Sequence, residues 1–486
     1  MVAEGMHNQQ PVEQSESITA TQQFLFPFLL KDGKIEAFIK RLQQGDFTFF
    51  SVEDKEQQDQ YYGRMKVSHA NLETYFMPNI EPILFPDSIH DREGLRRFSK
   101  NMDREYSFVS PHLTTTFVIA SIDIIICPFH IGLMNIRVHF PEDLATNDIL
   151  HFGDLFRMLT INEEEAFNVK VGLNEDSLYS VKDLIYHELL QEFTEYIDNR
   201  SADSTTYFGS LPFFIDERMY VISFLPLNEE IEITAKDLYR IGELNGYDAN
   251  GEAYVGASNP DYIQRYYEEK VYDRWGDTTY YVTSDTHFSC VTKKKGGLGK
   301  QLSQQMYGEH FYGLLLFFYY KLVLLKLSHD YSKVEVEKDM RKVELLMIMI
   351  TTFTSKYYLP EVNSTSAGKE IFRDVKRIFR IEKLYEDVKH SLAILYQNQD
   401  KWDGKRLNYL IQILTIYTVI SGIFGMNLVI EELGTGLTFS ILKTYSIFEW
   451  LVLAVTLSGI LISLALGFFF IKRFFDEKKS RKRRMF

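Results

Sequence analysis

The sequence predicts a mixed α/β cytoplasmic domain followed by a long stalk helix and two C-terminal transmembrane helices. Three observations predict it. Two uncharged runs, 407–430 (LNYLIQILTIYTVISGIFGMNLVI) and 450–471 (WLVLAVTLSGILISLALGFFFI), stand near the end of a chain of 486 residues. At 1.5 Å per residue they make helices of roughly 36 and 33 Å, enough for a hydrocarbon layer of about 30 Å. The stretch before them carries an apolar stripe at helical spacing, and the earlier chain alternates β-rich runs with helical ones.

Taken in order, residues 1–20 are polar and lack the apolar core of a signal peptide. They read as a flexible N-terminus, and the body that follows is expected to stay where it is made. Residues 21–300 read as the α/β domain, with strands expected at 24–30, 47–52, 115–127, 132–140, 218–224 and 230–233 and a helix at 181–197. The segments 242–259 and 293–300 read as loops, and the KKKGGLGK of the second lacks the spacing and the Ser or Thr of a phosphate-binding loop. Residues 301–367 read as cytoplasmic helices. Within them the apolar run 313–327 contains Lys321 and Lys326 and is short for a third span, so a buried helix is expected. Pro360 and the polar residues after it mark a break. The stalk, 368–406, has its stripe in Ile371, Val375, Ile378, Leu384, Val388, Leu392 and Leu395 and should run straight into the first span, 407–430. A loop at 431–449, the second span at 450–471 and a basic tail at 472–486 complete the chain.

Composition narrows the function. With 45% hydrophobic and 15% aromatic residues the chain can build more than one core. The formal charge is −14, and residues 1–401 alone hold 42 Lys or Arg against 61 Asp or Glu. Such a body is a poor nucleic-acid surface and suits cations. Cys127 and Cys290 are far apart and have no metal-site spacing, and His139, His151 and His187 read as single hydrogen-bonded histidines. No hydrolytic constellation and no transport ATPase motif is present, so the expectation is not an enzyme, with no organic cofactor.

Charge around the spans sets an orientation. Lys401, Lys405 and Arg406 precede the first, a dense run of Lys and Arg follows the second, and the intervening loop holds Glu431, Glu432 and Glu449 against Lys443. The positive-inside rule then puts both termini in the cytoplasm of a multi-pass protein of the cell (inner or plasma) membrane. The basic tail reads as a contact for anionic membrane lipid. Along the first span, with Asn408 at 0°, Ile411, Gln412, Thr415, Thr418, Val419 and Gly422 fall within an arc from about 280° to 40°. That mostly polar or small arc suits either water or close helix packing. Two helices per chain cannot enclose a hydrated pore, so an ion path requires a homo-oligomer with one copy of the first helix from each subunit around an axis.

Gly425, Met426 and Asn427 stand at the outer end of the first of two C-terminal membrane helices, preceded by Ser-Gly-Ile-Phe and followed by a short acidic loop and a basic tail. In this the chain resembles the CorA family of magnesium channels and transporters, over roughly 405–473. The resemblance implies a funnel-shaped homopentamer in which Gly425, Met426 and Asn427 form the selectivity filter. It lines the pore with Gly422, Thr418 and Thr415 and puts Leu407 at a hydrophobic constriction, where the helical wheel makes Ile411 an equal partner; Asn408, at the start of the same arc, completes the pore-lining set. It also implies a cytoplasmic domain that senses Mg²⁺, with Mg²⁺ as both transported and regulatory ion. Mg²⁺ sheds water reluctantly, so an amide or carbonyl that holds its hydration shell is a sensible filter. Three features depart from the family pattern: the stretch 428–446 is long, Ile416 replaces a proline common at mid-helix, and Phe424 replaces the commoner tyrosine.

Glu431 and Glu432 read as an entrance that concentrates cations, or as plain loop charges. Glu335, Glu337, Asp339 and Glu344 read as regulatory metal ligands, or as a solvated helix face. The reading of the whole is potential-driven uptake of a divalent cation, Mg²⁺ first, gated by cytoplasmic cation. The alternatives are a zinc, cobalt or nickel transporter, or a non-conducting membrane-anchored sensor or scaffold.

Overall fold

The computed structural model describes residues 18–51, 53–62, 65, 67, 69–159, 169–173, 179–189, 191–198, 218–335, 339–428, 446–448, 450–451, 454, 458, 461 and 468. The described chain divides into two units, one comprising 1–335 with 341–389 and the other 336–340 with 390–486. The first unit is an α/β domain on a mixed, ten-stranded sheet.

In chain order its elements begin with β1 (Thr21–Leu29), α1 (Ile35–Gln44), β2 (Thr48–Phe49), α2 (Lys55–Tyr62), α3 (His69–Tyr75) and α4 (Glu81–Leu84). The meander β3 (Arg96–Val109), β4 (Thr114–Cys127) and β5 (Ile131–His139) follows, then α5 (Thr146–Phe156), β6 (Lys170–Gly172), the short α6 (Val181–Asp183) and β7 (Tyr220–Pro226). Next come α7 (Ala235–Glu243), α8 (Pro260–Lys270), β8 (Val271–Trp275), β9 (Thr279–Thr283) and β10 (His287–Thr292). The helices α9 (Gly296–Tyr307), α10 (Glu309–Ser332), α11 (Met340–Thr352), α12 (Ser366–Ile378) and α13 (Ile381–Leu428) close the order.

The strands run β2-β3-β4-β5-β1-β7-β10-β9-β8, with β6 on β3. Every pairing is antiparallel except β7 with β10. Central strands read as near-continuous apolar runs because both faces are covered. In β4 the segment Ile122–Cys127 is buried throughout, and in β1 Phe24, Phe26 and Phe28 join the core built with Phe152 and Phe156 of α5.

Several expectations change. Strand β3 is 14 residues long and was not expected, because RRFSKNMDREYSFV is charged; pairing with β4 holds it, across a bulge where Asp103 has a φ of 40°. The expected strand at 230–233 is instead an exposed approach to α7, whose start is fixed by a capping box between Thr234 and Asp237. The helix expected at 181–197 breaks into α6, a wider π turn over Leu184–Leu189 and a 3₁₀ stretch over Gln191–Tyr196. Half of the expected loop at 293–300 is already helical, since α9 starts at Gly296. The single stalk helix is two helices, α12 and α13, interrupted at Phe379 and Arg380.

Helix α10 shows what the domain does with a long apolar segment. It has 24 residues, and Phe311, Leu314, Leu316, Phe317, Tyr319, Tyr320, Val323 and Leu324 are fully enclosed. Gly313 makes room for α12: a Cβ there would lie 2.2 Å from Cζ of Phe372. Towards the sheet, Tyr312 of α10 accepts a hydrogen bond from Nη1 of Arg97 at 2.9 Å. Arg97 and Arg137 both pair with Asp123, at 2.9 and 2.6 Å, and all three are buried. Ser99 donates to the same carboxylate at 2.7 Å and Asn135 at 3.2 Å. The guanidiniums hold Asp123 down at a pKa of about 2 against the opposing effect of burial. Two cations share one carboxylate, and aromatic faces supply further negative potential: Phe50 lies 3.8 Å from the Arg97 guanidinium, and Phe311 5.3 Å from that of Arg137.

Candidate functional site along the C-terminal helix

Helix α13 is continuous for 48 residues. It begins among buried side chains, with Ile381, Val388 and Leu395 enclosed, and then changes character. From Leu407 onward its apolar residues are open: Leu407 is 58% exposed, Tyr409 65%, Leu414 68% and Ile416 59%. On the helical wheel these lie in directions all round the axis, from about 80° to about 260° with Ile411 and Val419 on the remaining side. A continuous apolar surface of this kind marks a contact site, for a partner or for lipid.

At the beginning of this surface Lys405 places Nζ 5.3 Å from the centre of the Trp402 ring. An aromatic and a cation together at the end of an apolar helix are the anchors expected where hydrocarbon meets water. Thr415 donates its hydroxyl to the carbonyl of Ile411 at 2.7 Å, and Thr418 to that of Leu414 at 2.7 Å. Each proton is committed to the backbone, so the lone pairs are left to accept from outside, as the hydration water of a cation requires. Both threonines are exposed, as are Asn408 and Ile411, and a Cβ added to Gly422 would meet nothing within 4 Å.

The opposite side of the helix has a partner. Tyr417, at about 180° from Asn408, shares a hydroxyl hydrogen bond with Ser458. Ser458 belongs to the second uncharged run, of which Trp450, Leu451, Ala454, Ser458, Leu461 and Phe468 are described, each of them helical. This contact, among the described residues, lies on the side of α13 opposite the arc of Ile411, Thr415, Thr418 and Gly422.

Gly425, Met426 and Asn427 lie within the last turn of α13, which is helical to Leu428. Glu431 and Glu432 lie outside the described residues, as does Glu337. Glu335 is exposed in the turn after α10, Asp339 precedes α11 and Glu344 is half-buried within α11. Among the described residues no group of three or more His, Cys, Asp or Glu is gathered closely enough to hold a metal ion.

By length and composition, the described residues contain one helical stretch able to cross a membrane. It is Gly296–Ser332, α9 and α10 together, with a mean hydropathy of 1.5 in its most apolar window and 78% of that window buried. Core helices of soluble domains have the same length and composition, and burial assigns α10 to the core. No protein-family model, curated protein or solved structure matches the chain.

Sequence reasoning missed the Arg97–Asp123–Arg137 cluster, and the only signal was a pair of arginines opening a strand beside an aspartate inside an apolar one. It also missed Tyr417 and Ser458 as a pair, since nothing in either run marks the other as its partner.

Proposed function

We propose that this chain forms a membrane-embedded homo-oligomer, CorA-like in plan and most simply a homopentamer, that passes divalent cations, Mg²⁺ first, down the membrane potential. The observation that carries the reading is the Tyr417–Ser458 bond, which puts a contact with the second run on the side of α13 opposite Thr415, Thr418 and Gly422, residues that are exposed among the described residues. An uncovered polar arc within hydrocarbon is costly unless it meets water or its own copies. Symmetric copies of α13 around an axis satisfy it.

In this reading Leu407 and Ile411 form a ring at the cytoplasmic mouth that closes by dewetting, and the threonine oxygens above it accept from the ion's water shell. Asn427 holds that shell at the outer end. The acidic charge of the chain favours cations over anions at the cytoplasmic side.

The test is Mg²⁺ uptake into proteoliposomes under an inside-negative potential. Wild-type protein should conduct, and Asn427→Ala should lose at least tenfold in flux or lose its preference for Mg²⁺ over monovalent cations. A folded oligomer without flux for Mg²⁺, zinc, cobalt or nickel would sink the proposal and leave a sensor or scaffold.

A further inference from the structure

The break between α12 and α13 falls in the middle of a stretch whose sequence is helical throughout. Its geometry is specific. Arg380 is left-handed, with a φ of 56°, although it is neither glycine nor asparagine and its side chain is exposed. Its amide turns tightly to the carbonyl of Arg377 at 3.1 Å, and its own carbonyl receives the amide of Leu384 at 3.0 Å, so one helix ends and the next starts on the same residue. An L-residue held in this region is strained, and a straight helix through 380 would relieve the strain.

What opposes straightening is Phe379. It is 1% exposed, with its ring 5.5 Å from that of Tyr220 in an edge-to-face contact and 6.3 Å from that of Phe318. The amine of Lys321 stands 4.7 Å from the ring centre and 3.9 Å from Asp285. A second contact steadies the far side of the break: Tyr385, one turn into α13, stacks on Tyr358 with centroids 3.8 Å apart and planes 8° from parallel. Backbone preference thus pulls 380 towards a continuous helix while a buried ring and an aromatic stack hold the bend.

We propose that Phe379 and Arg380 form a two-state helix switch that sets the angle between α12 and the first turns of α13. In the bent state Phe379 is seated; in the straight state α12 and α13 are one helix and the ring is withdrawn. As a control on ion flux the switch rests on the cation-path reading, while the conformational change itself does not.

The experiment is a distance measurement between spin labels on full-length protein in detergent, with Arg373→Cys and Lys389→Cys as exposed sites and the buried Cys127 and Cys290 left unlabelled. A straight helix separates the two backbone positions by about 24 Å, and the bend shortens that distance. Phe379→Ala should raise the long-distance population at least fivefold, and Phe379→Leu should do so less. Arg380→Gly removes the strain without emptying the pocket, so it should abolish the long-distance population and needs no repacking. One identical distribution in wild type, Phe379→Leu and Arg380→Gly would overturn the switch. Flux in proteoliposomes should move in opposite directions in Phe379→Ala and Arg380→Gly. Distances that shift while flux stays equal would overturn the control of flux alone, and absence of flux from wild type would fail the cation-path reading with the distance result still standing.

Discussion

Helix α10 and the C-terminal half of α13 are both long and apolar, and they end in opposite surroundings. In α10 the leucines and aromatics are sealed between the sheet, α12 and the turn after α11, whereas Leu407, Leu414 and Ile416 of α13 stand open. Hydropathy rates α10 highly enough to cross a membrane. The distinction lies in partners: α10 has charged and aromatic groups aimed at it by the sheet, including Arg97 on Tyr312, and the far half of α13 has Tyr417 on Ser458. Apolarity makes a helix avoid water, and the rest of the fold decides whether it is enclosed, as α10 is, or left open, as α13 is from Leu407 onward.

A lysine placed on each helix should break the comparison most sharply. Leu316→Lys buries an unpaired ammonium and should prevent the α/β unit from folding, a cost of several kcal/mol. Leu414→Lys should leave the unfolding transition of that unit in place while weakening membrane insertion by about 3 kcal/mol, read by flotation with vesicles. Equal loss of fold in both would show that the two helices share one environment.

Removing the anchor of α10 comes next. Asp123→Ala leaves two buried guanidiniums without their carboxylate and should destabilise the α/β unit by about 3–5 kcal/mol in chemical denaturation. A change below about 1 kcal/mol would mean the aromatic faces alone hold the arginines.

Acid should act on the buried core of the α/β unit. His310, at the start of α10 between the hydroxyls of Tyr75 at 3.4 Å and Tyr281 at 3.3 Å, and His287, between Ser223 at 2.7 Å and the carbonyl of Ile241 at 2.9 Å, are both pushed by burial down to about 3. Their folded pKa values lie below the unfolded value, so the unfolded chain binds protons the fold refuses. Stability is full above about pH 6.5 and falls as pH drops towards 3, by up to about 1.4 kcal/mol per pH unit for each histidine. Denaturation between pH 6.5 and 5 should show this slope, and His287→Asn should roughly halve it. A flat profile would place both rings in contact with water.

The smallest effect is expected at the back of α13. Tyr417→Phe removes the hydroxyl that meets Ser458 and should weaken helix association by about 0.6 kcal/mol in thermal denaturation in detergent. No additional loss on combining it with Ser458→Ala would confirm that the two hydroxyls act on each other.

Legibility differed by element. Strands β1, β4, β5 and β7 were readable because branched and aromatic residues run unbroken there, and the buried fate of 313–327 followed from its length and its two lysines. Strand β3 was not readable, because its charges are paid for by neighbours in β4 and by helices far away in sequence. Thr415, Thr418 and Gly422 were legible as one arc from spacing alone. The arginine pair on Asp123 was not, since three residues from three strands have no spacing to detect.

The sequence by itself determined the two uncharged runs, the acidic body, the arc along 408–422 and the α/β character of the first unit, because periodicity and composition are local. Only the tertiary structure decided which groups enclose α10, that the stalk breaks at Arg380 and that Tyr417 meets Ser458. Those outcomes depend on which side chains a folded chain brings within a few ångströms, and a strained φ at a single arginine persists only because a phenylalanine beside it is buried by residues more than fifty positions away.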